Sequence, residues 1–450
     1  MASEYFLLRQ IEQIITASHL AEYNWLKANK EDKVARLKWL TRHHDGQIRQ
    51  RAVLCLGAMR ESSALPEFIE RANDWAEPIR RSARQCIRKF LLSEYVDNLV
   101  KVLPAFWKLL DCQRDQHQKL VDDILEFLAK PENRSALFNG LQSSDKSVAR
   151  CSLHVLNERE LFPPMEVLRR AIEHTDPMVR LRSVRYQLNK SDLTDMEIFQ
   201  RFLKDPFVPI KQATLQYAID YSIDIPHSTL VLLSFDSNAL VRQRTLRLLA
   251  ARNIDPTNIY LEALQSPKAT APKKRVALLG LDELKHPDVV DWATLCLDRR
   301  HPGIYMGALQ VLMQHCGNTV QSILLEAFTH PSAKVGKFAL KLRDRHKVFL
   351  TLTDVQYCMN NTQSIKGWRL CFSLASRLNK WDWLIFLFSN IKQDNGQLSN
   401  EYLEYWINQF NCSGIEPSEK QKTRLLFLWN DIYHFINRSK REMKCFLSLL

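Results

Sequence analysis

One short pattern returns along this 450-residue chain at a fixed interval, and few folds can accommodate that. A turn, often marked by Asp, is followed by an apolar anchor, a basic residue, and a small or β-branched residue four past the anchor. Two copies read Asp45-Gly-Gln-Ile48-Arg49-Gln-Arg-Ala52 and Asp176-Pro-Met-Val179-Arg180-Leu-Arg-Ser183. The anchors fall at 48, 79, 148, 179, 210, 241, 272, 304, 335 and 365, so the spacings are 31, 69, 31, 31, 31, 31, 32, 31 and 30. The gap of 69 is about two periods plus a small insertion. It predicts an irregular repeat over roughly 100–140, where Lys119 to Ala129 has an amphipathic helical pattern.

Each period has room for two helices of about ten to twelve residues joined by short turns. A lone hairpin of that size cannot bury its apolar face, but stacked hairpins share a continuous core. The buried stripe should run through the anchor, its +4 partner and positions +7 or +8, as in Val241, Thr245, Leu248 and Leu249. Eleven glycines are few for this length, which suits helices on short turns and leaves little for Gly-rich phosphate loops. The expected fold is all-α, an α-solenoid (superhelix) of about ten to eleven hairpins. The array should span 31–380, between an N-terminal helical cap over 1–30 and a Trp- and Phe-rich C-terminal cap or divergent repeats over 381–450. Exposed aromatics in that last region would instead mark a docking surface.

Asp-Pro-x-Val-Arg followed by a small residue, as at Asp176 to Ser183, resembles the second helix of HEAT repeats. The short period is similar to the HEAT-like class also found in phycobilisome lyases, and the likeness covers about 30 to 380. It implies a ladder in which a turn Asp and the following Arg link successive hairpins. Asp176, Arg180, Asp236 and Arg242 fit that pattern, which makes Arg49, Arg80, Lys211 and Lys273 structural as well. Departures at Ala149, Tyr305 and Gly336 imply a ladder broken towards the C-terminus.

A second basic set lies outside the ladder. Arg51, Arg182, Arg244 and Arg275 occupy the third position after the anchor, and Arg185 and Arg247 lie one turn further on. Arg81, Arg84, Arg88 and Lys89 add charge to the second repeat. Repeats stacked in register turn a recurring position into a row, and on a concave surface such a row could track a phosphate backbone or an acidic protein segment. A solvated face with local ion pairs is the plainer alternative. The overall balance, 63 Lys and Arg against 50 Asp and Glu, favours acidic or polyanionic partners.

Catalytic and metal signatures are sparse: H-E-x-x-H, G-x-x-x-x-G-K-[ST], G-x-S-x-G and G-x-G-x-x-G are all missing. Deoxyhypusine hydroxylase, an enzyme on short HEAT repeats, binds di-iron through His-Glu dipeptides, and none of the thirteen histidines precedes Glu. No metal or cofactor is expected. Trp107 and Asp111, four apart on one helix face, resemble the Asp beside Trp residues of HEAT-like alkylpurine DNA glycosylases, which makes them the outlying catalytic candidates. The ten cysteines are scattered with no C-x-x-C pair, and the N-terminus lacks signal-peptide character. The longest apolar run, Trp383 to Phe388, is too short to span a bilayer. A cytoplasmic address without a membrane is expected. The leading functional expectation is a non-enzymatic scaffold for an acidic protein partner. The alternatives are a nucleic-acid-binding solenoid (DNA or RNA) that uses the arginine row, and a glycosylase.

Overall fold

The computed structural model describes residues 29–190, 195–410 and 414–436, with Phe6, Arg9, Gln10 and Gln13. Nearly all of the expected N-terminal cap and the stretch from 437 onward lie outside the described residues. The chain divides into two compact units, Met1–Ile223 and Asp224–Leu450. Among the described residues every regular element is a helix, and none is long and apolar enough to cross a membrane.

Ten helices carry the repeating pattern. In the first unit they are α1 (Gly46–Ala58), α2 (Glu77–Arg88), α3 (Lys146–Glu158), α4 (Pro177–Asn189) and α5 (Val208–Asp220). In the second they are α6 (Ala239–Ala250), α7 (Ala271–Glu283), α8 (Pro302–Cys316), α9 (Ala333–His346) and α10 (Ile365–Ala375). Helices such as Leu65–Arg71 before α2 and Pro164–Ala171 before α4 complete the hairpins. The starts follow local chemistry. Asp45, Asp145, Asp176 and Asn238 accept hydrogen bonds from first-turn N–H groups, while Pro sits at the first or second helical position of α2, α4, α5, α7 and α8. Left-handed residues follow many of the anchor helices: Arg60, Glu160, Ser222, Asn253, Lys285 and Lys347, with φ between 48° and 56°. None is glycine, which accounts for the low glycine content.

Within the first unit α1 packs on α2, and α3, α4 and α5 pack in series. Within the second, α7 through α10 do the same. The buried positions recur at the anchor, +1, +4, +7 and +8, as in Val148, Ala149, Ser152, Val155 and Leu156 of α3 and Ile304, Tyr305, Ala308, Val311 and Leu312 of α8. Within each unit the architecture is a HEAT-like α-solenoid array of short stacked hairpins. One apolar core runs from Val34 to Val179 in the first unit, and another from Tyr260 to Ile436 in the second.

Eight anchors are buried as the period requires: Ile48, Ile79, Val148, Val179, Ile210, Val241, Ile304 and Val335. Two are displaced. Pro272 and Ile365 are exposed, and the buried residues Ala277 and Leu281 in α7, and Cys371 and Ala375 in α10, shift the anchor position to Lys273 and Gly367. The repeat steps by 32 residues into each of these helices. A lysine and a glycine at the anchor hid that step behind neighbouring apolar residues.

The irregular stretch folds as Val96–Lys101, Leu103–Leu110, Gln118–Ala129 and Ser135–Leu141. Beyond α10, the helices Lys380–Asn390, Gln397–Phe410 and Glu419–Ile432 bury Trp383, Phe386 and Trp406 almost completely. The indole N–H groups of Trp381 and Trp406 donate to the carbonyls of Ile415 and Lys380 at 3.1 and 2.8 Å. Much of this aromatic content therefore fills a core.

Candidate partner-binding face

The ladder arginines each close two turns at once. Arg49 donates through Nε and Nη2 to both oxygens of Asp74 at 3.0 Å, and through Nη1 to the carbonyls of His43 and His44 at 2.8 Å. Arg180 grips Asp205 at 2.9 and 3.1 Å while donating to the carbonyls of His174 and Thr175. Arg80 reaches Asp115 at 3.0 Å and the carbonyls of Asp74 and Trp75. Arg242 bonds the carbonyls of Asp236 and Ser237 and pairs with Glu283 at the end of α7, its Nε 3.1 Å from the carboxylate. Each guanidinium thus ties its own turn to a carboxylate further along the chain.

The pairing corrects the sequence expectation, first at Arg242, whose carboxylate partner is Glu283 while Asp236 offers only its backbone carbonyl. Asp176 is bound by Arg150 of the preceding hairpin, at 2.6 and 3.1 Å, and not by Arg180. The ladder also survives Ala149, because Arg150 on the next residue makes the step. At Tyr305 and Gly336 packing replaces the ion pair: Tyr305 is buried with its ring 5.1 Å from His330, and Gly336 lies directly against Leu370. Lys273 places its ammonium 4.7 Å from the centre of the Phe235 ring.

These contacts also fix protonation states. Burial would raise the carboxyl pKa of Asp74 and Asp115, but hydrogen bonds and charge from Arg49 and Arg71, and from Arg80 and Arg84, hold both below the ordinary value. For Asp176 the Arg150 hydrogen bond is the largest influence and lowers its pKa.

The non-ladder arginines divide by unit. In the first unit the third position after the anchor holds Arg51, Ser82, Cys151, Arg182 and Ala213 in turn, and the sixth holds Leu54, Gln85, His154, Arg185 and Gln216. Arg182 and Arg185 are exposed on α4 and make no ion pair among the described residues; Arg51, half-buried on α1, also makes none. The charge of Arg182 opposes the burial that pushes the Cys151 thiol upward, which sets the two side by side on adjacent helices. Trp107, half-buried on Leu103–Leu110, meets His154 edge to face at 5.4 Å. His154 and Arg185 hold the sixth position on the packed helices α3 and α4, as Cys151 and Arg182 hold the third.

Nothing in the sequence pattern joined Trp107 to the arginine positions. The link runs through His154, whose place at the sixth position was the available signal. Asp111 is exposed at the end of the Trp107 helix, and its carboxylate makes no hydrogen bond or ion pair among the described residues. An enclosed catalytic carboxylate would need a different setting. Arg81, Arg84 and Arg88 are taken by Glu77, Asp115 and Asp123.

In the second unit Arg244 and Arg247 lie on α6, but the third position of α7 to α10 holds Val276, Gly307, Phe338 and Leu370. Arg275 does not share the position of Arg244, because the 32-residue step sets it one place earlier. Its stem lies on Gly307 of α8, so closely that a Cβ there would come within 2.9 Å of Cγ.

No protein-family model and no curated protein matches the chain. Among solved structures it is similar to Kap121p bound to Pho4p, with 13% identity, a TM-score of 0.31, and coverage of 92% of this chain and 54% of that one. It is also similar to Kap95p in a study of its binding to RanGDP, with 12% identity, a TM-score of 0.30, and coverage of 94% and 64%. The chain spans little more than half to two thirds of those proteins' length, and none of their properties transfers at this level of likeness.

Proposed function

We propose that this protein is a non-enzymatic interaction scaffold that holds an acidic segment of a protein partner against the face formed by α3 and α4. The observation that carries this reading is the pair Arg182 and Arg185, exposed and without ion pairs among the described residues, beside arginines whose guanidinium groups are consumed by the ladder. Trp107 and His154 add ring surface next to that charge, the combination expected where a mixed acidic and apolar segment docks.

The interrupted row favours a short acidic segment over a nucleic-acid strand. A phosphate backbone presents charge about every 3.4 Å along a strand and rewards a continuous basic track. Ser82, Cys151 and Ala213 stand where that track would need arginines. The cysteines free among the described residues suit a reducing, cytoplasmic setting.

The test is titration of the full chain with a labelled Glu-rich peptide and with single- and double-stranded oligonucleotides of equal net charge. The peptide should bind more tightly at the same ionic strength. Tighter binding of the oligonucleotides would establish the nucleic-acid alternative instead.

A further inference from the structure

Three helices of the second unit, Leu352–Asn360, Lys380–Asn390 and Glu419–Ile432, bound a cleft of about 540 Å³. The middle one packs against both of the others. Leu352, Gln356, Ile385, Ser389, Lys420 and Arg424 are among the lining residues. Ile385 is buried at the base and Leu352 is half-buried on one wall. The lining amides are already satisfied, since Gln356 and Asn390 exchange hydrogen bonds at 3.0 Å and Gln421 donates to Asp382 at 2.8 Å.

The charge at the cleft has one sign. Lys420 and Arg424 are exposed and make no ion pair among the described residues, and no acidic residue lines the cleft among those described. Glu419, next to them in the first turn of their helix, is engaged by Lys422 at 3.8 Å. Asp382 is held by Asn379 at 2.6 Å as well as by Gln421. The same two cations line a second hollow of about 530 Å³ that runs on along their helix to Phe427. The Phe427 ring is 67% exposed, with its centre 5.8 Å from the Arg424 guanidinium carbon.

We propose that this cleft docks an amphipathic helix of a protein partner. The partner helix lays an apolar stripe over Leu352 and Ile385 and sets two carboxylates, four residues apart, against Lys420 and Arg424. The spacing argues for a helix. Lys420 and Arg424 are one turn apart on one helix face, about 5–6 Å between Cβ atoms, and acidic residues four apart on a partner helix repeat that distance. The apolar base beside unpaired cations argues for the mixed character of the ligand, because burying the base is favourable only if the charges at its edge are met. A flat bilayer surface would reach Phe427 but not the recessed Ile385. The site stands on residues of the second unit and is independent of the Arg182 and Arg185 face.

The test uses the full chain and a fluorescent alanine-based helical peptide of about 18 residues, with Glu four apart on one edge and Leu along the adjoining face. Binding is followed by fluorescence anisotropy. A scrambled peptide of the same composition, a Glu-rich peptide without leucine, and phosphatidylserine vesicles serve as comparisons. The amphipathic peptide should bind more tightly than either peptide control. Lys420→Gln with Arg424→Gln should weaken it about tenfold. Ser389 is exposed within the cleft, so Ser389→Trp should abolish binding by filling the space, while Ser389→Ala should retain it. Unchanged helical spectra should accompany these variants. Arg182→Gln with Arg185→Gln should leave the affinity for this peptide at the parental value. Binding that survives either the double Lys420 and Arg424 variant or Ser389→Trp would overturn the proposal. So would equal binding of the scrambled peptide, vesicle binding that alone depends on Lys420 and Arg424, or a loss confined to the Arg182 and Arg185 variant.

Discussion

At Asp74 three donors converge on one buried carboxylate: Arg49, Arg71 and the Ala76 N–H. Its pKa is lowered in the fold although burial works the other way. The stabilisation is therefore present above the unfolded carboxyl value of about 3.9 and is lost as pH falls through the lower folded value. Asp115 and Asp176 shift in the same direction, so the ladder steps should weaken together below about pH 4. Urea unfolding between neutral pH and pH 3 should show Asp74→Asn less stable at neutrality but less sensitive to acid than the parent. Equal acid sensitivity would mean that Asp74 is not ionised in the fold. Removing an arginine tests the same step from the other side. Arg49→Ala should cost about 3 kcal/mol, because it leaves a buried carboxylate with fewer donors. Arg180→Ala should cost about 1–2 kcal/mol, because its pair with Asp205 is partly solvated. Losses in the reverse order would contradict the ladder geometry. The sequence pattern pointed to Arg49, Arg80, Arg180 and Arg242, but it missed Arg150 and did not give the partners. The partner of Arg49 lies 25 residues ahead, and that of Arg242 lies 41 ahead on another helix, distances set by stacking and invisible in one repeat.

Between elements, close approach depends on small residues at specific contacts. Gly57 of α1 lies against Cys86 of α2, where an added Cβ would strike the thiol. Gly57→Ala should destabilise the chain by about 1–3 kcal/mol, and Cys86→Ala in that background should recover part of the loss. Additive losses would show that the two helices do not meet there. The helix ends offer a second check. Lys285 is held at φ 56° in the turn after α7, so Lys285→Gly should raise the melting temperature slightly, relieving a strain of about 1 kcal/mol. The period made most of these elements legible in advance, since eight anchors sit in the core where the spacing put them. It failed at Pro272 and Ile365 for a physical reason. Lys273 and Gly367 occupy the anchor position of their helices, and apolar periodicity cannot detect an anchor that is not apolar.

Within the first unit, the third position after the anchor alternates between arginine and small residues: Arg51, Ser82, Cys151, Arg182 and Ala213. Among the described residues, many arginines are taken up by ladder steps and local pairs, while Arg182 and Arg185 on α4 make no ion pair. Arg182 and Arg185 were legible as recurring positions, whereas the contact of Trp107 with His154 was not. That contact depends on how the irregular stretch packs against α3, which no repeat pattern encodes. The measurement that tests the proposed face most directly is the affinity of a Glu-rich peptide as a function of salt, for the parent and for two paired variants. Arg182→Gln with Arg185→Gln should lower affinity about tenfold, as expected for two exposed charges, and flatten the dependence of log affinity on log salt. Arg244→Gln with Arg247→Gln, made in α6, should leave both nearly unchanged. Affinity and salt slope that stay at parental values in the Arg182 and Arg185 variant would contradict the account, leaving these residues as a solvated face.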